Sequence, residues 1–117
     1  MKTSELTGAA LDWATGIAEQ PDGAKILWKL MKSGRWKPST DWEQGGPIIE
    51  RERLGVCYYH EVDGWETPNW ASWRTDIDDR VQIMGETALV AAMRCFCSAK
   101  LGDEIDIPEE LCQQRSS

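Results

Sequence analysis

Between Thr87 and Gly102 the chain spells out one helix more clearly than any other element. Leu89, Ala92, Met93, Phe96 and Ala99 recur at three- and four-residue spacing, which places them on one stripe of an α-helix. Thr87 stands where an N-cap is needed, Lys100 falls in the last turn against the negative helix end, and Gly102 stands at the C′ position. The spacing predicts a helix over 87–101. A helix with that stripe must bury it, so the remaining residues have to supply a second layer around it.

A second helix is predicted over 7–19, with Thr7 as its cap and Ala10, Trp13, Ala14, Ile17 and Ala18 on one face. Trp13 is then a core anchor, and Gln20-Pro21-Asp22-Gly23 stops the helix. Residues 24–36 fit two periods. Ile26, Trp28 and Leu30 alternate as in a strand, while Ile26, Leu27, Leu30 and Met31 also fit a helical face. Their position between two turn signals favours a strand, with Ser33-Gly34 as its turn. Turn residues make 38–47 a loop. Strands are expected over 48–54 and 56–60, and another over 65–73 after Pro68, with Asp63-Gly64 turning the chain between them. Residues 75–80 read as an exposed acidic loop, Ile105 and Ile107 as a short extended piece, and 113–117 as a frayed polar tail. The sum is an α+β domain over 1–112, with two amphipathic helices packed on a small, mostly antiparallel sheet.

The length of 117 residues suits one domain. A net charge of −7 argues against broad binding to phosphate backbones, and no sequence-specific nucleic-acid reader is expected. The charge is uneven: residues 24–54 hold seven Lys/Arg against four acids, a local +3, while residues 1–23 sum to −3 and 55–117 to −7. No apolar run reaches the roughly 20 residues of a membrane span, and the first residues lack an apolar signal core, so a cytosolic protein is expected. Cys57, Cys95, Cys97 and Cys112 form no C-x-x-C. Cys95 and Cys97 fall about 200° apart on their helix, so buried reduced thiols are expected and neither a metal nor another cofactor.

The segment with the most chemical content is Trp36-Lys37-Pro38-Ser39-Thr40-Asp41-Trp42, followed by Gly45-Gly46-Pro47. It lies in the one basic stretch. Trp36 and Trp42 can stack on a flat group, Ser39, Thr40 and Asp41 can direct hydrogen bonds, and Gly45 and Gly46 can let backbone approach closely or make a tight turn. Arg35, Lys37, Arg51 or Arg94 can meet a phosphate. The plainer reading of the same residues is structural: Trp42 in the core, Asp41 capping a turn, Arg51 paired with an acid, Arg94 on the outer edge of its helix. Seven tryptophans in so short a chain point further to an interface. Trp65, Trp70 and Trp73 are its candidate anchors, and a homo-oligomer, a dimer first, is expected. No catalytic motif is complete. His60 is the single histidine, there is no G-x-S-x-G, and Asp76, Asp78 and Asp79 lack the glycine and terminal glutamate of a calcium loop. A non-enzymatic protein is therefore expected.

Three blocks stand out: Glu5-Leu6-Thr7-Gly8-Ala9-Ala10-Leu11-Asp12-Trp13-Ala14; Pro38-Ser39-Thr40-Asp41-Trp42 with Gly45-Gly46-Pro47-Ile48-Ile49-Glu50-Arg51-Glu52; and Thr87 through Phe96 with Ser98-Ala99-Lys100-Leu101-Gly102-Asp103 and Ile107-Pro108. They keep their order and span nearly the whole chain, and together they resemble the phage P22 NinX-like family of small tailed-phage and prophage proteins. Where the family shows Gly-Pro-Thr-Pro-Leu before the last helix, this chain has Gly85-Glu86-Thr87-Ala88-Leu89, and residues 58–83 match no family pattern. The resemblance implies phage origin and action inside a bacterial cell, and it implies no reaction. Joined to the Trp-flanked loop, it points to an accessory protein that binds a nucleotide-like ligand to counter host defence signalling. The alternative is a modulator that docks on a host protein through exposed tryptophans and an acidic surface.

Overall fold

The computed structural model describes residues 1–59, 70–75 and 78–113. A 3-10 turn (Thr3–Glu5) leads into α1 (Gly8–Glu19), α2 (Ala24–Lys32) and α3 (Trp42–Glu52). Strands β1 (Leu54–Tyr58), β2 (Trp70–Arg74) and β3 (Asp78–Gly85) follow, then α4 (Ala88–Leu101) and a short α5 (Glu109–Gln113). The α+β class and the antiparallel sheet agree with expectation. The helix number does not: among the described residues five helices, not two, pack with a three-stranded sheet of order β1-β2-β3.

The helix 87–101 forms as its pattern predicts. Thr87 Oγ1 accepts from the Val90 N–H at 3.1 Å, and the helix ends at Gly102 with φ 84°. Its apolar stripe understated its burial, however. Residues 88, 89 and 91–97 are all buried, so α4 is the central rod of the domain and not a half-exposed layer. Phe96, Met93, Ala92 and Cys97 meet Leu6, Leu11, Ala14 and Ile48 in one core cluster. The sheet covers α4 on another side, with β1 pairing β2 from Leu54↔Arg74 to Tyr58↔Trp70 and β2 pairing β3 through Ala71↔Met84.

Two stretches differ from expectation for identifiable reasons. Residues 24–32 are helix, because the three-four period wins over the alternating one. Leu27 turns inward, Trp28, Leu30 and Met31 are half-buried, and Lys25, Lys29 and Lys32 share the outer face. Every residue from Ala24 to Lys32 is an adequate helix former and most are strong ones. Residues 42–52 are also helix, where a glycine-rich loop and then a strand were expected. Asp41 caps this helix by accepting from the Glu43 N–H at 2.9 Å, which offsets part of the cost of a proline inside the helix. Gly46 has no Cβ to strike the Pro47 ring, which relieves the clash that usually bars helix before proline. The left-handed Arg53, at φ 54°, then turns the chain into β1. The expected strand at 56–60 is seen as Leu54–Tyr58, and that at 65–73 as Trp70–Arg74, while 78–80, expected in a loop, begin β3. His60, Asp63-Gly64, Trp65, Asp76 and the tail 114–117 lie outside the described residues.

Candidate functional site

Asp12, a residue the sequence reading passed over, organises the Trp36–Trp42 segment. It is 7% exposed on α1, and its Oδ1 accepts from the Ser39 N–H at 2.9 Å. Its backbone carbonyl accepts from Trp36 Nε1–H at 2.8 Å. One residue thus holds both the ring and the loop behind it. Burial pushes the Asp12 carboxyl above its ordinary pKa, against a smaller lowering by the Ser39 backbone and side chain. The Ser39 hydroxyl is close enough to be felt by the carboxylate but makes no hydrogen bond of good geometry, and its oxygen is buried without a partner. Gln44 fastens the loop from the other side, accepting from the Lys37 N–H and donating to the Arg35 carbonyl, both at 2.6 Å. The Asp41-x-x-Gln44 spacing, a capping-box pattern, was the signal in the sequence that could have revealed this helix start.

The predicted binding residues therefore divide. Ser39 is buried and its backbone is committed to Asp12, while Asp41 serves as the α3 cap. Thr40 is exposed, with Oγ1 at 3.4 Å from the Lys37 carbonyl. Gly45 and Gly46 lie inside α3 and form no turn. A Cβ on Gly45 would stand 2.5 Å from the Pro38 carbonyl oxygen and 2.6 Å from Leu89 Cδ2, so Gly45 is required for close packing. Arg94 is buried, not at an outer helix edge: Nε donates to the Leu6 carbonyl at 2.6 Å and Nη1 to the Met84 carbonyl at 2.8 Å. It joins the N-terminal segment to β3. Trp42, in contrast, begins α3 with 58% of its surface exposed.

Of the interface candidates, Trp70 is half-buried and meets Tyr58 edge-on at 5.2 Å. Trp73 is half-buried and lies across Gly55 of the neighbouring strand, in the space a Cβ would take. Trp13, expected as a core anchor, is half-buried and packs edge-on against Trp28 at 5.7 Å. Cys95 and Cys97 are buried reduced thiols, and burial pushes the Cys97 thiol up to about 12. Among the described residues no group of three or more His, Cys, Asp or Glu side chains could hold a metal ion, and no helix is long and apolar enough to cross a membrane.

One groove is lined by the predicted Trp36, and its lining residue Glu19 pairs with the predicted Arg51. Between α1 and α2, a hollow of about 300 Å³ is lined by Trp36, Ile26, Leu27, Leu30, Gln20 and Glu19 among others. Gly16 sits at its base, where Leu27 and the Trp36 ring fill the space a side chain would need. Glu19 on the rim forms an ion pair with Arg51, whose guanidinium also bonds Glu52 at 2.9 Å and lies 5.8 Å from the Phe96 ring centroid. The Glu19 and Glu52 hydrogen bonds hold the Arg51 proton more tightly than usual, and Arg51, with Lys100, holds the Glu52 carboxyl below its usual range.

The fold and groove together define a small α+β domain built around one buried helix, with an aromatic-walled hollow beside its most sequence-distinctive segment. The sequence profile described as Bacteriophage P22, NinX matches residues 2–100, and the chain belongs to that family of small phage accessory proteins. No curated protein matches the chain in sequence.

Proposed function

We propose that this chain is a non-enzymatic phage accessory protein that holds a flat, nucleotide-like ligand in the α1–α2 groove. It acts in the host bacterial cytoplasm by sequestering a signalling nucleotide of host defence. One observation supports this reading above the others: the fixed Trp36 ring walls a groove whose rim carboxylate, Glu19, holds the Arg51 guanidinium. A base stacked on Trp36 gains about 1–3 kcal/mol. The Arg51 side chain is 50% exposed, so its pair with Glu19 is worth only about 0–1 kcal/mol, and a phosphate can displace Glu19 at little cost. Ser39, Asp41 and Arg94 take structural roles in this reading, and ligand contact passes to Ile26, Leu30 and Gln20 beside Trp36.

Isothermal titration calorimetry against mono-, cyclic and dinucleotides tests it. The expected result is one class that binds, weakened by Trp36→Leu and by Arg51→Gln. A panel without heat, or binding that both variants leave unchanged, ends the proposal. A second reading draws on Trp42 and Tyr58, large rings 58% and 47% exposed, as anchors for a host protein. Immobilised protein that recovers a stoichiometric partner from bacterial lysate, and loses it with Trp42→Ala, favours that reading instead.

A further inference from the structure

Away from the Trp36 groove, α2 and α5 set charges of opposite sign around a second hollow. Lys25, Lys29 and Lys32 recur at turn spacing and form an exposed ridge. Next to it, Trp28 and Met31 join Ala9 of α1 and Leu111 of α5 in lining a hollow of about 350 Å³, with Lys32 and Glu110 at its rims. Trp28 is fixed edge-on by Trp13, and Lys32 Nζ lies 5.5 Å from its ring centroid. Glu109 and Glu110 are exposed on the first turn of α5. Among the described residues, none of these lysines and glutamates is in an ion pair. Positive and negative charge therefore stand close together across an apolar centre without neutralising each other.

We propose that this face is the interface of a two-fold homodimer. The lysine ridge of α2 in one copy lies on Glu109 and Glu110 of α5 in the other, reciprocally, with the two Trp28 hollows facing at the centre. The charge pattern selects a second copy over other partners. A polyanion or an anionic membrane would meet Glu109 and Glu110 beside the lysines, and an acidic protein would satisfy only half the face. A copy rotated by 180° places each sign on its opposite, as an isologous contact requires. The net charge of −7 per copy opposes approach at long range, so the contact depends on these local pairs.

The interface is separate from the ligand groove, and its test is independent of nucleotide binding. Sedimentation velocity of the full chain over micromolar to near-millimolar concentration is expected to show a monomer–dimer equilibrium. Lys29→Glu with Lys32→Glu leaves Lys25 as the one lysine of the ridge among acids and is expected to weaken the dimer by about tenfold or more; Glu109→Lys with Glu110→Lys sets lysines against lysines with the same effect. Mixing the two variants, each shown to be folded by circular dichroism, is expected to give a one-to-one heterodimer tighter than either homodimer. A monomeric native chain throughout, a dimer that neither reversal weakens, or folded variants that fail to associate when mixed would each overturn the proposal.

Discussion

Replacing Asp12 separates two roles that one side chain combines. The carboxylate supplies an acceptor to the buried Ser39 N–H and carries a charge that burial disfavours. Asp12→Ala removes the acceptor. A buried N–H left unpaired costs about 1–3 kcal/mol, and at about 4 °C per kcal/mol for a domain of this size the midpoint falls by roughly 4–12 °C. Asp12→Asn keeps an oxygen where Oδ1 stood and removes the charge. Because the folded pKa lies above the unfolded one, the folded state holds the proton more tightly. The stability that goes with the protonated carboxyl is full below about pH 4, the unfolded value, and is lost as pH rises through the folded pKa. At pH 7 the native charge is therefore a net cost, and Asp12→Asn should match or exceed the native midpoint. On acidification the native chain should gain on Asp12→Asn, as its own carboxyl becomes neutral. Thermal unfolding followed by circular dichroism at pH 7 and near pH 4 reads both comparisons. If Asp12→Asn is as damaged at pH 7 as Asp12→Ala, the charge itself stabilises the loop and the desolvation argument is wrong.

Three further outcomes follow from packing and burial. Gly45→Ala should cost about 1–3 kcal/mol in urea unfolding, because its Cβ meets the Pro38 carbonyl oxygen at 2.5 Å and Leu89 Cδ2 at 2.6 Å, and it should cost more than Gly46→Ala, which outside its chain neighbours meets only Trp42 Cε3 at 3.7 Å and bears only the strain of a side chain before Pro47. Arg94→Lys should fail to recover the stability lost in Arg94→Met, since two carbonyls are met by separate nitrogens of one rigid fork; equal midpoints for native and Lys chains would contradict this. Alkylation at pH 8 should modify the half-buried Cys57 before Cys97, whose thiol is inaccessible and pushed up to about 12, and peptide mapping of the labelled native chain reads the order.

Much of this molecule was legible residue by residue. The 87–101 helix follows from apolar spacing and boundary residues alone; the 7–19 helix follows from its spacing, though Thr7 makes no side-chain cap bond and Leu11 and Thr15 are buried where Trp13 and Ile17 are half-buried, and β1 and β2 coincide with the β-branched and aromatic runs around Val56 and Trp70. The errors cluster at 24–32 and 42–52, where local chemistry was balanced. Ile26-Leu27-Trp28 satisfies either period until Leu27 has a core to enter. Gly45-Gly46-Pro47 is turn chemistry anywhere that Pro38 and Leu89 do not press on the glycine. The candidate site shows the same limit. Trp36 was marked by its sequence setting, but its groove is built by Leu27, Leu30 and Glu19 from two helices, and its fixing residue is Asp12, 24 positions earlier in the chain.

Sequence alone determined the family, the α+β class and the existence of the 87–101 helix, though not its central burial, because periodicity, caps and motif order are properties of neighbours along the chain. Tertiary structure alone decided that Arg94 is a buried brace, that Asp12 holds the Trp36 ring and the Ser39 backbone, and that Arg51 pairs with Glu19, a lining residue of the Trp36 groove. Those outcomes depend on which groups lose water and which find partners, and both are settled only when distant segments share one core.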